Sequence, residues 1–337
     1  MRVIFGLTLL LFSAFNVSAQ IQTLTPAIMS ELAVKSMLLG IDNAGEEAVV
    51  AVGERGHIVR STDGINFTQV KSPTQTTLTA VTFYNELLGW AVGHNATILH
   101  TADGGVSWKV QQHQPKNQYP ILDINFKSAT EGVAVGAYGM YFRTQDGGNT
   151  WQREYHVSLL PQEDVEYLEE LRKEDEEAYL EERNSILPHF NRIYVDGRTS
   201  YLAGELGLIA KSNDFGRTWE RFEDFYHGSF YDVKRSIEGN IVAVGLRGNV
   251  FRSVDNGIAW SNVQSDTTAL LNQLVISQSG QLFALGNNGV LLESNDDGVS
   301  FSKSVQDDGK GLLSGVVFNN SLVIASEVGI KVLKVVK

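Results

Sequence analysis

Thr144-Gln145-Asp146-Gly147-Gly148-Asn149-Thr150-Trp151 is the stretch that decides the fold of this chain. It is one of six copies of the pattern Ser/Thr-x-Asp-x-Gly-x-Ser/Thr-aromatic, the first one residue short, with aspartates at Asp63, Asp103, Asp146, Asp214, Asp255 and Asp296. An aspartate in a tight turn accepts hydrogen bonds from nearby backbone N–H groups, and a glycine there adopts a positive φ. We expect the closing aromatic residue to bury its ring at the start of the next strand; the tryptophans are Trp108, Trp151, Trp219 and Trp260. We call these six turns the Asp turns.

A second repeat sets the number of units. It is a short β-rich run that ends in glycine or, in the last copy, serine; its seven copies end at residues 53, 93, 136, 204, 245, 286 and 326. Such a run, a few variable residues and another β-rich run are typical of a hairpin. Apart from a longer interval between Asp146 and Asp214, the Asp turns recur roughly every 40 residues, the length of a propeller blade. The sequence therefore predicts an all-β fold: a seven-bladed β-propeller of four-stranded blades forming one domain over residues 20–337.

The start of the chain resembles a secretory leader. Arg2 precedes a mostly apolar run over residues 3–15, which is too short to span a bilayer comfortably. Val17-Ser18-Ala19 has the small residues of a cleavage site. We expect residues 1–19 to be a signal peptide, with an uncleaved anchor as the alternative. The mature chain is then exported, periplasmic or secreted, with no membrane span after leader cleavage.

The last blade is incomplete in the sequence. It stops after its third strand and carries no Asp turn. An open sheet edge promotes association with other chains. We therefore expect residues 20–25 to pair there as a closing strand and to complete the ring as a monomer.

Composition narrows the chemistry. The chain has no cysteine, which excludes disulfides, thiolate metal sites and a cysteine nucleophile. Its seven histidines show no metal-ligand spacing, and no glycine-rich phosphate loop leads into a helix. A net charge of −12 argues against a nucleic-acid partner. We expect no cofactor, no metal and no catalytic residue.

The long interval between blades three and four contains an acidic insertion, residues 161–188. Residues 162–183 include eleven acidic and three basic side chains, and prolines 161 and 188 bracket them. The composition favours a helix or a helical hairpin. A solvated loop excursion is the alternative, because charge runs often do only that.

Two sets of charged residues are candidate sites. Aligning the inner strands places Asp123, Arg192 and Asp232 on consecutive blades beside the central channel, within the equivalent positions Gly40, Ala80, Asp123, Arg192, Asp232, Gln273 and Gly315. We call Asp123, Arg192 and Asp232 the inner ring; a salt-bridged channel lining is the favoured interpretation and partner binding the alternative. A second set just before the Asp turns is the basic ring of Arg60, Arg143, Lys211 and Arg252, which suits an acidic peptide unless these are solvated strand ends.

The hairpin loops on the opposite face from the Asp turns are the favoured docking surface. Alternate loops of a propeller share a face, and variable loops on a rigid scaffold usually carry binding. Tyr138, Leu206, Leu246 and Arg247 lie in these loops on blades three to five. Aromatic, apolar and arginine side chains are the types enriched in binding hot spots, so we expect a protein partner here.

The longer unit Gly136-Ala137-Tyr138-Gly139-Met140-Tyr141-Phe142-Arg143-Thr144, continuing to Trp151, resembles the photosystem II assembly and stability factor propellers, which share the Asp-box of bacterial neuraminidase repeats. The resemblance covers about residues 37–334. It implies a non-enzymatic binding scaffold that assists assembly or stability of a membrane or envelope protein complex. The leader and the acidic insertion favour an exported member from a non-photosynthetic bacterium.

The Asp turns also leave an enzymatic alternative, a carbohydrate-active enzyme of the neuraminidase type. Such an enzyme requires three converging arginines, a nucleophilic tyrosine with its glutamate, and an acid. Among the aligned inner-strand positions only Arg192 is an arginine. The aspartates of the Asp turns are spread around the rim and are explained by turn hydrogen bonding.

Overall fold

The computed structural model describes residues 24–334, which form seven antiparallel sheets around a central channel. Blade one consists of Leu38–Ala44 (β1), Ala48–Gly53 (β2), Ile58–Ser61 (β3) and Thr68–Val70 (β4). Blade two consists of Leu78–Phe83 (β5), Gly89–Gly93 (β6), Thr97–Thr101 (β7) and Lys109–Gln112 (β8). Blade three consists of Ile121–Phe126 (β9), Gly132–Gly136 (β10), Met140–Thr144 (β11) and Gln152–Arg153 (β12).

The remaining blades follow the insertion. Blade four consists of Phe190–Asp196 (β13), Thr199–Gly204 (β14), Ile209–Ser212 (β15) and Glu220–Arg221 (β16). Blade five consists of Phe230–Arg235 (β17), Ile241–Gly245 (β18), Val250–Ser253 (β19) and Ser261–Val263 (β20). Blade six consists of Leu271–Ile276 (β21), Leu282–Gly286 (β22), Val290–Ser294 (β23) and Ser302–Val305 (β24), and blade seven of Leu312–Phe318 (β25), Ser321–Ser326 (β26) and Gly329–Lys334 (β27). The predicted seven-bladed β-propeller is confirmed.

The second strand of each blade is the core of its sheet. β2, β6, β10, β18 and β22 are buried at every residue. The closing glycine is required where the inner strand of the same blade begins: a Cβ on Gly93 would lie 2.1 Å from the carbonyl oxygen of Thr77. The glycine that marks the repeat in the sequence is therefore a packing requirement of the propeller.

Each Asp turn is braced as its residue types predict. Asp146 accepts hydrogen bonds from the backbone N–H of Thr150 at 2.9 Å and from the Thr150 hydroxyl at 2.7 Å. The Thr144 hydroxyl donates to Asp146 at 2.8 Å and accepts the N–H of Gly148 at 2.8 Å. Hydrogen bonds from Ser300 lower the pKa of Asp296, in the last copy, to about 2. These contacts keep the aspartates ionised as turn acceptors.

The described N-terminal segment lies along blade one. The backbone N–H of Ala27 donates to the carbonyl oxygen of Ser72 at 3.0 Å, and a short 3-10 helix, Glu31–Lys35, then contacts β4 and β27. Of the predicted closing strand, residues 20–23 lie outside the described residues, and residues 24 and 25 form no strand. Within residues 24–334, blade seven has three strands instead of the expected four. The pairing of residues 20–23 stays a prediction.

The acidic insertion is a packed helical hairpin. Its helices are Gln162–Glu174 (α1) and Glu176–Ile186 (α2), and the Asp175 side chain caps α2 by accepting the N–H groups of Glu177 and Ala178. Leu168 and Tyr179 are buried against the core of blades three and four. The hairpin is therefore a fixed part of the body. Within residues 24–334, neither helix has the length and apolarity needed to cross a membrane.

Candidate functional site

The central channel is lined by the seven inner strands and has a volume of about 1280 Å³. Each inner strand contains a β-bulge near its start, at the same register in all seven blades. The bulge turns the following residue so that it faces the neighbouring blade. That residue is the equivalent position aligned from the sequence, with one correction: in blade seven it is Ser314, because Ser314 and not Gly315 pairs directly after the bulge.

The inner ring braces neighbouring blades. Asp123 accepts the backbone N–H of Ile193 in the next blade at 2.8 Å, and Asp232 accepts that of Leu274 at 2.9 Å. The same bond recurs elsewhere in the ring, with Gln273 accepting the N–H of Gly315 and Ser314 accepting that of Ile41. Repetition of one bond at four blade junctions identifies a structural latch.

Arg192 lies between the two aspartates. Its guanidinium is 3.5 Å from Asp123 and 3.9 Å from Asp232, and the Asp232 side chain is fully buried. Burial raises the pKa of Asp123, although Arg192 and the N–H of Ile193 oppose this effect. The structure brings the three predicted residues together as the favoured salt-bridged channel lining. Their contact with a partner stays a prediction.

Three members of the basic ring reach the Asp turn of the next blade. Arg60 donates to the carbonyl oxygen of Gly104 at 2.8 Å, and Arg252 donates to that of Asp297 at 2.7 Å. Arg143 donates to the carbonyl oxygens of Phe215 and Gly216, both at 2.8 Å. These arginines join blades one to two, three to four and five to six. Their first function is therefore structural, rather than that of the solvated strand ends or free cations considered from the sequence.

The fourth member of the basic ring, Lys211, differs. Its ammonium group pairs with the exposed Glu220 at 3.3 Å. This pair lies within blade four, between two adjacent strands. Lys211 is thus the member of the ring whose ion pair stays within its own blade.

The loops between the second and third strands carry an unusual backbone conformation. In six blades the second loop residue has a positive φ, between 55° and 58° in five of them and 53° at Tyr138; these residues are Arg55, Asn95, Tyr138, Leu206, Arg247 and Asn288. Asparagine tolerates this region, whereas a bulky side chain there costs about 1 kcal/mol or more. Tyr138 is 41% exposed and Leu206 is 56% exposed. Large side chains are therefore held, under strain, on the surface of this face, which we call the loop face.

Tyr138 is the centre of an aromatic cluster on the loop face. Its ring centroid is 4.4 Å from that of Tyr119 and 4.7 Å from that of His189. His189 in turn lies 3.5 Å from Glu205. Sequence reasoning missed Tyr119 and His189 because they lie in connections outside the repeat. The alternation of loops predicts their face, since the links between blades emerge on the same side as these hairpin loops.

Leu206, Leu246 and Arg247 lie on the neighbouring blades of the same face. The Arg221 guanidinium holds the strained turn of blade four by donating to the carbonyl oxygen of Leu206 at 2.8 Å and to that of Leu159 at 3.0 Å. Arg247 is exposed and Leu246 is half-buried. The structure thus places all four predicted docking residues on one face.

A family model supplies the context for this geometry. The model for the photosynthesis system II assembly factor YCF48 matches residues 59–153 and 191–307, more than half of the chain. The chain belongs to the YCF48 family. The unmatched stretch between these ranges contains the helical hairpin. No curated protein matches the chain.

Solved structures of the YCF48 family share the fold. A structure described as YCF48 bound to D1 peptide has 18% identity and a TM-score of 0.68, covering 93% of this chain and 97% of that one. YCF48 from Cyanidioschyzon merolae has 16% identity and a TM-score of 0.66, covering 89% and 95%. Virginiamycin B lyase from Staphylococcus aureus is also similar, with 11% identity, a TM-score of 0.68 and coverage of 91% and 96%. At these identities the likeness establishes the propeller alone.

Proposed function

We propose that this chain is an exported, non-catalytic propeller that docks a protein partner on its loop face and assists assembly of a membrane or envelope complex. The observation that carries the proposal is the strained backbone under Tyr138, Leu206 and Arg247. Strained backbone conformations cluster at functional sites, where the strain is part of the mechanism. The YCF48 family, and a relative described as bound to D1 peptide, support the class of activity.

The chemistry of the loop face suits an extended peptide segment. Tyr119, Tyr138 and His189 offer a cluster of tilted and edge-to-face rings, and the exposed Leu206 adds an apolar contact on the next blade. Arg247 supplies an exposed guanidinium on blade five. Rigid aromatic anchors with an arginine are the composition of binding hot spots. We infer a ligand with apolar side chains and one acidic group.

The helical hairpin bounds this surface on one side. The backbone N–H of Gly139, next to Tyr138, donates to the carbonyl oxygen of Pro188 at 2.9 Å. The end of the insertion is thus tied to the turn that carries Tyr138. With eleven acidic residues between positions 162 and 183, the hairpin repels acidic segments that approach from that side. The hairpin therefore restricts the orientation in which a ligand with an acidic group can bind to the loop face.

The binding experiment compares two faces of the same body. Tyr138→Ala with Arg247→Ala is expected to weaken capture of the partner from envelope fractions at least ten-fold, with an unchanged melting temperature. Val106→Ala with Ile258→Ala removes two exposed aliphatic residues, 56% and 82% exposed, in the Asp turns and is the matched control. Equal capture by both variants would contradict loop-face docking. Loss of capture with Lys211→Glu alone would assign docking to the basic ring.

A further inference from the structure

Blade seven ends in a strand edge that differs from the six others. Within residues 24–334, no strand pairs with the outer side of β27. The outermost strands of the other blades have two to four residues and are largely polar. β27 has six residues and includes Ile330, Val332 and Leu333. Proteins keep edge strands short or charged because a long apolar edge pairs with other chains.

The register of the sheets identifies what an added strand would contact. In blade one, Val50 pairs with Arg60, and Arg60 pairs with Thr68 of the outer strand. In blade seven, Val323 pairs with Val332, which therefore takes the place of Arg60. Val332 is 38% exposed. An added strand would continue the sheet along β27 and cover this side chain.

The short helix Glu31–Lys35 lies close to β27 without completing the sheet. Gly329 is adjacent to it, since a Cβ on this glycine would lie 2.0 Å from the carbonyl oxygen of Val34. The backbone hydrogen bonds at the helix are local, from Ala33 to Ser30 and from Ser36 to Ala33. The helix therefore packs beside the start of β27 and, among the described residues, leaves its ladder groups unpaired.

The edge is basic within an acidic protein. From Gly329 to Lys337 the chain has three lysines and no acidic residue, while the whole chain has a net charge of −12. Lys331 pairs with Asp308 at 2.6 Å, and Lys334 has no ion pair within residues 24–334. Opposite charges facing each other across antiparallel strands stabilise the pair, and like charges destabilise it. A second copy of β27 would bring its own lysines close to those of the first. Charge therefore favours an acidic strand over a second copy.

We propose that blade seven takes up an extended acidic segment of a protein partner as its fourth strand, in place of the pairing by residues 20–23 that the sequence suggests. Backbone hydrogen bonds to β27 supply the affinity, as in other strand additions to a sheet edge. An apolar residue opposite Val332 covers the exposed side chain, and a carboxylate opposite Lys334 supplies specificity. This edge is on the outer wall of the propeller and its occupation does not depend on the loop face.

The probe is the synthetic peptide Thr-Glu-Thr-Val-Glu-Thr, which in antiparallel register sets glutamates opposite Lys331 and Lys334 and valine opposite Val332. Its control is the same peptide with lysine in place of glutamate. Amide hydrogen exchange of the full chain is measured with each peptide. We expect the acidic peptide, and not its control, to slow exchange of those β27 amides that do not already donate to β26.

Charge reversal supplies the second measurement. Lys334→Glu is expected to lower the affinity for the acidic peptide on the order of five-fold and to raise the affinity for the lysine peptide. Lys109→Glu, the same change on the outer strand of the complete blade two, is the matched control and leaves both affinities unchanged. Equal protection by both peptides, or by neither, would overturn the proposal. The proposal would also be overturned if, in the free protein, the amides of β27 exchanged as slowly as those of β26. A monomeric mass would then show that residues outside 24–334 cover the edge, and a dimeric mass that a second copy covers it.

Discussion

The guanidinium of Arg143, on the third strand of blade three, hydrogen-bonds the carbonyl oxygen of Phe215 in the Asp turn of blade four at 2.8 Å. The same side chain forms two bonds to Glu154, at 2.6 and 3.0 Å. One arginine thus joins its own outer segment to the next blade. The Asp turn, which decides the fold, therefore also accepts the hydrogen bond that joins one blade to the next.

Removing this arginine is expected to destabilise the ring. Arg143→Met leaves the carbonyl oxygen of Phe215 without its donor and removes the cation that pairs with Glu154, which costs about 3 kcal/mol of unfolding free energy. Lys211→Met removes a cation paired with the exposed Glu220 and is expected to cost less than about 0.5 kcal/mol. Urea denaturation of the two variants measures the difference. Equal stabilities would show that the arginine is not a clamp between blades.

Glu154 makes the stability of this junction depend on acid. Although burial acts to raise it, hydrogen bonds from His156 and Arg143 lower the pKa of Glu154 to about 2, from an ordinary value of 4.5. A lowered folded-state pKa contributes stability above the unfolded value, and this stability is lost as the pH falls through the folded value. We therefore expect a loss between about pH 4.5 and pH 2 that is smaller in Glu154→Gln. Parallel curves for the two proteins over that range would contradict this assignment.

The strained backbone at Leu206 allows stability and partner binding to be tested separately. Blades two and six place asparagine at the equivalent residues, Asn95 and Asn288, and asparagine tolerates a positive φ. Leu206→Asn is therefore expected to leave stability unchanged or to raise it by up to about 1 kcal/mol, while weakening partner capture. Thermal unfolding and capture are measured on the same preparation. A variant that is less stable, or that binds normally, would remove the functional reason for this leucine.

The fold could be predicted from the sequence because the Asp turn is local. Every residue that braces the turn of Asp146, from Thr144 to Thr150, lies within a few positions of it. The inner ring could also be predicted, because inner strands with the same register place equivalent residues at the same height along the channel. The single slip, from Ser314 to Gly315, arose where serine replaces the marker glycine.

The partners of the basic ring could not be predicted in the same way. Arg252 is three positions from Asp255 of its own turn, yet it pairs with Asp297 of the next blade at 2.6 Å. That choice depends on the angle between blades, which no local pattern contains. The aromatic cluster of Tyr119, Tyr138 and His189 was hidden for the same reason. Two of its members, Tyr119 and His189, come from links between blades, which lie outside the repeated pattern.

The most direct measurement of the central claim is site-specific photo-cross-linking in envelope preparations. A benzophenone amino acid replaces Tyr138 on the loop face in one protein and Ile258, on the Asp-turn face, in another. The account predicts a cross-linked protein partner from position 138 that disappears when Arg247→Ala is added, and none from position 258. Cross-links from position 258 with none from position 138 would contradict loop-face docking.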